Sequence, residues 1–508
     1  MALAACFYKG QAANLEKLVR IVLATWKTLV VWLCSLGSLS ALLFAGVAGC
    51  DSLPQRTSDT GAASFNHLSA AQKSPGSPPA KLHGARGPLT VQQSKAILAD
   101  LSRRGEDTGI FERHLAIEEA VAGSPLMVGN RTTLFEDGES TYVAMFKAIA
   151  AAKKHINVET YIIEDDEVGQ RFSDALIAKQ KQGVQVALMY DSVGSIATPK
   201  AFFQRLNNGG IKTLEFNPVN PLLAKKGWEL NQRDHRKLLI VDGRTVFLGG
   251  INISSVYSSG LSGHRKGQTS KKSNGQDKLP WRDTHLMVEG PVAAEFQKHF
   301  MASWIKQKGS ALPDKEYFPT QMAKGKEVVR AIASSADDEG GGQIYSTLVS
   351  AINSAETSIF LTNAYFAPDE HFMKALADAV ARQVDVKIIL PSKTDSELVF
   401  HAGRSYYAAL LDSGVKIYER GEALLHAKTA LIDGVWSTVG STNLDWRSFL
   451  HNDEVNAVIL GAEFGQQMNK LFEKDLAAST QVTQETWAAR PLLFRLKEQG
   501  ARLWVYWL

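Results

Sequence analysis

Two histidine-lysine pairs carry the chemistry of this sequence. His235 and Lys237 stand two residues apart at the head of the apolar run in "NQRDHRKLLIVDG", and His426 and Lys428 do the same in "LLHAKTALIDG". Each run closes on Asp-Gly, at Asp242 and at Asp433, and continues to an asparagine. His235 to Asn252 and His426 to Asn443 are both separated by 17 positions. Side chains alternate faces along a strand, so each His and Lys should project together. Two histidines directed at one site supply a nucleophile and a general acid. Two lysines and two asparagines supply charge and hydrogen bonds to phosphate oxygens. The aspartates lie five positions beyond their lysines, on the opposite face of a regular strand. Parity therefore makes Asp242 and Asp433 structural residues, bonded to the glycine turn that follows. No acidic metal cluster accompanies the pairs, which argues against metal-assisted hydrolysis.

The elements around the motifs repeat as well. "YVAMFKAIAAAKKHINVETYII", "DALIAKQKQGVQVALMYD" and "FFQRLNNGGIKTLEF" each read as helix then strand. "IYSTLVSAINSAETSIFLTNAYF", "KALADAVARQVDVKIILP" and "YYAALLDSGVKIYER" answer them in the same order. Alternating helix and strand predicts an α/β fold with parallel strands between helices. Duplication predicts two such domains related by a pseudo-twofold, with the two His-Lys pairs meeting at the seam.

This constellation resembles the phospholipase D superfamily, marked by a duplicated His-Lys-Asp motif, over roughly 133–476. Within it the chain looks like the bacterial cardiolipin synthases. The first motif ends Gly249-Gly250-x-Asn252 and the second Gly440-Ser441-x-Asn443. "WRDTHLMVEGP", "NAYFAPDE" and "VGSTNLDWRSFLHNDEVNAVI" resemble the flanking stretches of that group. The resemblance implies that His235, Lys237, Asp242, His426, Lys428 and Asp433 form the catalytic signature. It implies that Asn252, Ser441 and Asn443 bind substrate, with Ser441 the one motif hydroxyl because Gly250 replaces its counterpart. It implies a phosphohistidine intermediate, with His235 attacking and His426 as acid and base, although the near-symmetry leaves the opposite assignment open. Each imidazole then needs an orienting carboxylate. Glu454, 28 residues after His426, takes the family's position for that half, and Asp283 is the candidate for the first. The implied activity is transfer of a phosphatidyl group from phosphatidylglycerol to a second lipid alcohol, without cofactor or metal. Alternatives are hydrolysis of phospholipid, hydrolysis of nucleic acid, or a silent lipid-binding scaffold.

Composition bounds these readings. The chain has 508 residues, 45% hydrophobic and 21% charged, long enough for two domains with sizeable cores. Of its net charge of +4, the first 49 residues supply most. The nearly neutral body argues against a nucleic-acid partner. All three cysteines, Cys6, Cys34 and Cys50, precede residue 51, which excludes thiol catalysis and cysteine zinc sites in the body. Residues 1–49 read as a signal peptide or membrane anchor, with an uncharged run from Thr28 to Gly49. "VAGC" resembles a lipoprotein box, which implies lipidation of Cys50. Either route tethers the protein to a bacterial cell membrane with its body in the periplasm. Residues 50–88 are rich in Ser, Pro, Gly and Ala and read as a flexible linker. The remaining expected segments are a helical lead-in (89–125), the two domains (126–325 and 326–480) and a C-terminal amphipathic segment (481–508). "SSGLSGHRKGQTSKKSNGQDKLP" reads as a loop whose basic residues suit anionic headgroups. The C-terminal segment, with Trp504, Tyr506 and Trp507, either lies at a membrane surface or packs on the body. The oligomeric state is not legible.

Overall fold

The computed structural model describes residues 81–103, 110–111, 123–219, 231–258, 279–336 and 342–504. The apolar run with Cys50, nearly all of the basic loop, Tyr506 and Trp507 lie outside these residues. Among the described residues, no helix is long and apolar enough to cross a membrane.

The same series of elements runs twice. The first comprises β1 (Leu126–Phe135), α1 (Gly138–Ala151), β2 (His155–Thr160), α2 (Glu167–Lys181), β3 (Gln185–Asp191), α3 (Lys200–Asn208), β4 (Lys212–Phe216), β5 (Lys237–Val241), β6 (Thr245–Gly249), β7 (His285–Glu289) and α4 (Ala293–Lys306). The second comprises β8 (Glu327–Ser334), α5 (Gln343–Ser354), β9 (Ser358–Asn363), α6 (Glu370–Ala381), β10 (Asp385–Pro391), α7 (Glu397–Arg404), β11 (Lys416–Arg420), β12 (Lys428–Ile432), β13 (Trp436–Gly440), β14 (Asn452–Leu460) and α8 (Ala462–Ala477). Aspartates at 137, 166 and 369 start α1, α2 and α6 by accepting from backbone N–H groups of the first turn. β2, β3 and β5 are buried along their whole length, and β2 carries buried polar side chains, His155, Asn157 and Glu159, between its apolar Ile156 and Val158.

The first half lies in the order β4-β3-β2-β5-β6-β7-β1, with β2, β3 and β4 parallel and the rest antiparallel. The second half repeats this as β11-β10-β9-β12-β13-β14-β8. β1 and β8 pair antiparallel, Met127 opposite Val329 and Val128 opposite Val328. The pseudo-twofold passes through that pairing. One core joins the halves: Val288, Phe296 and Phe300 cluster with Val439, Phe464 and Met468.

The last part of the stretch expected as linker, from residue 81, lies within the described residues. Leu82–Gly84 pairs parallel with β1, Leu82 opposite Leu126, and Leu82 is fully buried. Antiparallel pairing with Gly87–Pro88 and the Ser94 hydroxyl, which accepts from the Leu82 N–H, hold the segment as well.

Both motif strands turn back through Asp-Gly with consecutive positive φ angles, 53° and 60° at Asp242-Gly243 and 50° and 65° at Asp433-Gly434. That is the type I′ geometry that suits tight hairpins. From sequence these carboxylates are expected to bond their own glycine turns; they cap the neighbouring strand instead. Asp242 accepts from the backbone N–H groups of Lys153, Lys154 and His155 at the head of β2. Asp433 accepts from those of Glu356, Thr357 and Ser358, and from the Thr357 hydroxyl, at the head of β9. Asp433→Ala strands these donors beside a buried position, at a cost of roughly 2–4 kcal/mol. Urea unfolding should show that loss and a smaller one for Asp433→Asn, with turnover per folded molecule retained. A stable Asp433→Ala protein without turnover would show that the residue acts in chemistry.

Candidate active site

Each histidine sits where its strand is stitched to the other half. The two-residue strand Arg233–Asp234 pairs parallel with Asn452–Asp453 of β14. Trp281–Arg282 pairs parallel with Leu424–Leu425. The His235 backbone N–H donates to the Asp453 carbonyl at 2.9 Å, and that of His426 to the Arg282 carbonyl at 2.8 Å. The next residue on each partner strand is a carboxylate, Glu454 or Asp283.

These stitches correct the pairing expected from sequence. Glu454 does not orient His426, nor Asp283 His235; the partners are exchanged across the seam. His235 Nδ1 lies 2.9 Å from Glu454 Oε1, and His426 Nδ1 lies 2.7 Å from Asp283 Oδ2. The physical reason is the crossed strand pairing, which no spacing within one half reveals. Neither imidazole can be supported by its own domain alone.

The lysines complete the pairs. Lys237 donates to the carbonyl of His235 and Lys428 to that of His426. All four side chains are buried, each histidine retaining 7% exposure. Burial, reinforced by the opposing lysine, pulls Lys237 down to about 7, and burial pulls Lys428 down to about 8. Burial and then Lys237, Lys428 and His426 hold His235 well below the ordinary histidine value of 6.5. Burial and Lys428 also lower His426, while Asp283 opposes them. The crossed strand pairings bring both pairs to the seam between the halves.

The carboxylates differ. Burial raises Glu454 to about 7 against the pull of Lys237 and Ser441. Burial also acts to raise Asp283, but His426, its hydrogen bond and Lys428 together outweigh it and hold Asp283 below its usual value. Ser441, expected to meet substrate, donates its hydroxyl to Glu454 and accepts from the Val455 N–H. Its counterpart Gly250 leaves room for Asp283: a Cβ there would lie 2.1 Å from Asp283 Oδ1. The two halves thus use the same position differently, once for a hydroxyl and once for a carboxylate.

The asparagines differ too. Asn252 is spent internally, its Nδ2 donating to the Tyr257 hydroxyl at 2.9 Å and its Oδ1 accepting from the Ile162 N–H at 3.1 Å. Tyr257 packs 5.9 Å from the His426 ring, so Asn252 acts through an aromatic wall. Asn443 Oδ1 is buried without a hydrogen-bond partner. An amide oxygen only accepts, so a phosphate oxygen would be met by the Nδ2 of Asn443.

Sequence reasoning missed that wall and a brace. Tyr161 lies 5.0 Å from the His235 ring, and Trp281 and Tyr365 lie 5.2 and 6.3 Å from His426. Tyr161 and Tyr365 follow the ends of β2 and β9 directly or by one residue, a signal within "ETYII" and "NAYF". The charges flanking His235 are braces. Arg236 meets Glu159 and, through Nε, donates to the Glu454 carbonyl at 3.1 Å. Arg233 lies 3.7 Å from Asp191. Arg236 therefore fixes the strand that carries Glu454 relative to the strand that carries His235.

Comparison with known proteins agrees with the duplicated fold. A family model described as "Cardiolipin synthase, PLD-like domain" matches residues 145–259 and 348–476, one segment in each half. The cardiolipin synthase of Geobacillus sp. (strain WCH70) is 35% identical over 395 residues, covering 77% of this chain and 74% of that protein. That of Listeria monocytogenes serotype 4b (strain CLIP80459) is 35% identical, covering 75% and 76%. Among solved structures, the phosphatidylserine synthase of Haemophilus influenzae Rd KW20 superposes with a TM-score of 0.55 at 14% identity. It covers 77% of this chain and 99% of that one, a likeness of fold.

Proposed function

The chain belongs to the cardiolipin synthase family of phospholipase D-like proteins, and from that premise we propose that it transfers a phosphatidyl group from phosphatidylglycerol to the hydroxyl of a second phospholipid. The observation that carries this reading is the exchanged pair of imidazoles, each held at Nδ1 by a carboxylate from the opposite half.

With Nδ1–H donated to Glu454, His235 presents the Nε2 lone pair. It attacks phosphorus, and the bond from phosphorus to the glycerol oxygen breaks. The departing oxygen takes a proton from His426, whose cation Asp283 stabilises. The phosphate's negative charge favours that cation once substrate is bound. His426 then removes the proton of the incoming hydroxyl, whose oxygen attacks the phosphohistidine and frees His235. Lys237, Lys428 and Asn443 are the groups we assign to the phosphate oxygens. The stronger depression of His235 and the ionised partner of His426 support this assignment over its reverse. The nearly neutral body favours lipid over nucleic acid as substrate. We place the protein at a bacterial cell membrane, tethered by lipidated Cys50 or by the N-terminal apolar run, with a periplasmic body.

Incubation with acyl-labelled phosphatidylglycerol in mixed micelles, followed by lipid analysis, tests the reading. Cardiolipin is the expected product, and phosphatidic acid alone would support the hydrolase instead.

The Glu454 carboxyl gives the reaction a pH signature. Its pKa near 7 is raised, so it takes up a proton as pH falls through that value. The neutral acid then donates to Nδ1 and forces the His235 proton onto Nε2, the attacking atom. kcat/KM should therefore show an acidic limb near 7 from Glu454, opposed at higher pH by loss of the Lys237 proton, and Glu454→Gln should remove the acidic limb while leaving the alkaline one. An unchanged acidic limb in Glu454→Gln would assign it elsewhere.

A further inference from the structure

The C-terminal helix α9 (Leu492–Arg502) is attached the wrong way round for a helix that serves the core. Its buried residues are Glu498 and Ala501, 1% and 5% exposed. Glu498 accepts from Arg490 Nε at 3.0 Å and lies 3.7 Å from Arg404 Nε on α7. Ala501 packs with Ala367 and Ala402, against Tyr406 and Trp446. A core-facing amphipathic helix buries its apolar stripe. Here an ion pair clamps the helix, and Leu492, Leu493, Phe494, Leu496, Leu503 and Trp504 are left exposed, from 41% for Phe494 to 82% for Leu503.

We propose that this face of α9 is a docking surface for an anionic phospholipid bilayer, which it presents next to the active site. Charge complementarity selects that occupant. Arg495, Lys497 and Arg502 are exposed on the same helix, and Glu498, the one acid of α9, is the residue it buries. The outward surface is thus apolar and cationic, the combination that seats a helix among acyl chains beneath anionic headgroups. The surface is also continuous with the chemistry. α9 packs on α7 and on Ala367, in the two-residue strand Phe366–Ala367 that follows Tyr365, whose ring faces His426. Trp446, on its other side, stands three residues beyond Asn443. A bilayer bound there brings lipid headgroups to the second-half wall of the site. The inference rests on the phospholipid reading for where the substrate lies, but its primary readout needs no turnover.

The full-length chain is bound to phosphatidylcholine vesicles containing phosphatidylglycerol, with and without brominated acyl chains, and tryptophan quenching is compared between wild type and Trp504→Phe. Wild type should lose more fluorescence, the difference being the share of Trp504 in contact with acyl chains. Equal fractional quenching would overturn the proposal. A triple variant, Leu492→Gln, Leu496→Gln and Leu503→Gln, should lose about tenfold in activity on vesicle lipid. It should keep wild-type activity on a short-chain monodisperse phosphodiester; equal loss on both would also overturn it. A second copy as occupant would appear as a wild-type dimer that the triple variant dissociates in sedimentation, with Trp504 unquenched, and would refute it. If no cardiolipin forms yet Trp504 is quenched, the docking surface stands and the transfer reading fails.

Discussion

His235→Ala is expected to abolish transfer, with a loss in kcat of about 10⁵-fold or more, because removing a nucleophile removes the two-step route itself. His426→Ala removes only proton transfers and should cost about 10²–10⁴. The two losses separate further when the leaving group changes. A phosphatidyl donor whose alcohol is replaced by a nitrophenol departs without protonation. With that donor His426→Ala should regain the first half-reaction, while His235→Ala regains nothing. Deprotonation of the acceptor still needs His426, so the variant should accumulate the phosphatidyl-enzyme. Intact-mass measurement at alkaline pH, where phosphohistidine persists, should show the adduct on His426→Ala. An adduct on His235→Ala, and none on His426→Ala, would reverse the two roles.

The same two histidines show what the sequence carries and what it leaves out. Their spacing to Lys237 and Lys428, and the equal intervals to Asn252 and Asn443, are local, so alternation along a strand places them on one face before any fold is known. The duplication of helix and strand order is also local. It led to the observed sheet, in which β2, β3, β4 and β5 are matched by β9, β10, β11 and β12. The exchange of Glu454 and Asp283 is not local. It depends on short strands of one half pairing with the other, and two residues of Arg233–Asp234 or Trp281–Arg282 carry no periodic signal. The bond from Ser441 to Glu454 is likewise not legible, since Glu454 lies on the adjacent strand. The outward apolar face of α9 was legible as amphipathicity, but not in its orientation. Only the burial of Glu498 beside Arg490 and Arg404 distinguishes a docked helix with its apolar side free from one that packs inward.

Crossed support makes the carboxylates unequal, and the largest effect among residues that touch neither phosphate nor acceptor is expected at Asp283. His426, its hydrogen bond and Lys428 hold Asp283 ionised despite burial. Its charge is therefore present whenever His426 must carry a proton. Asp283→Asn keeps the shape and removes that charge. The imidazolium loses its stabilising partner, and an amide N–H facing Nδ1 fixes the wrong tautomer for accepting a proton at Nε2. A loss in kcat of about 10³–10⁴ is expected, the scale of the equivalent change in a catalytic triad. Glu454→Gln should cost less, about 10–100-fold at pH 7. Glu454 already titrates near that pH, and a glutamine oxygen can still accept the Nδ1 proton while Ser441 turns to meet the amide. Gly250→Ser should reproduce the Asp283 defect with the aspartate itself unchanged, by displacing its carboxylate. The new Cβ would fall 2.1 Å from Asp283 Oδ1, and the backbone there is pinned by the Gly250 N–H to Thr284 carbonyl bond. The nitrophenol donor should restore the first half-reaction of Asp283→Asn and Gly250→Ser alike, and should leave the Glu454→Gln defect in place. If Glu454→Gln is the more severe variant and is rescued by that donor, then the acid is His235, and the nucleophile lies in the second half.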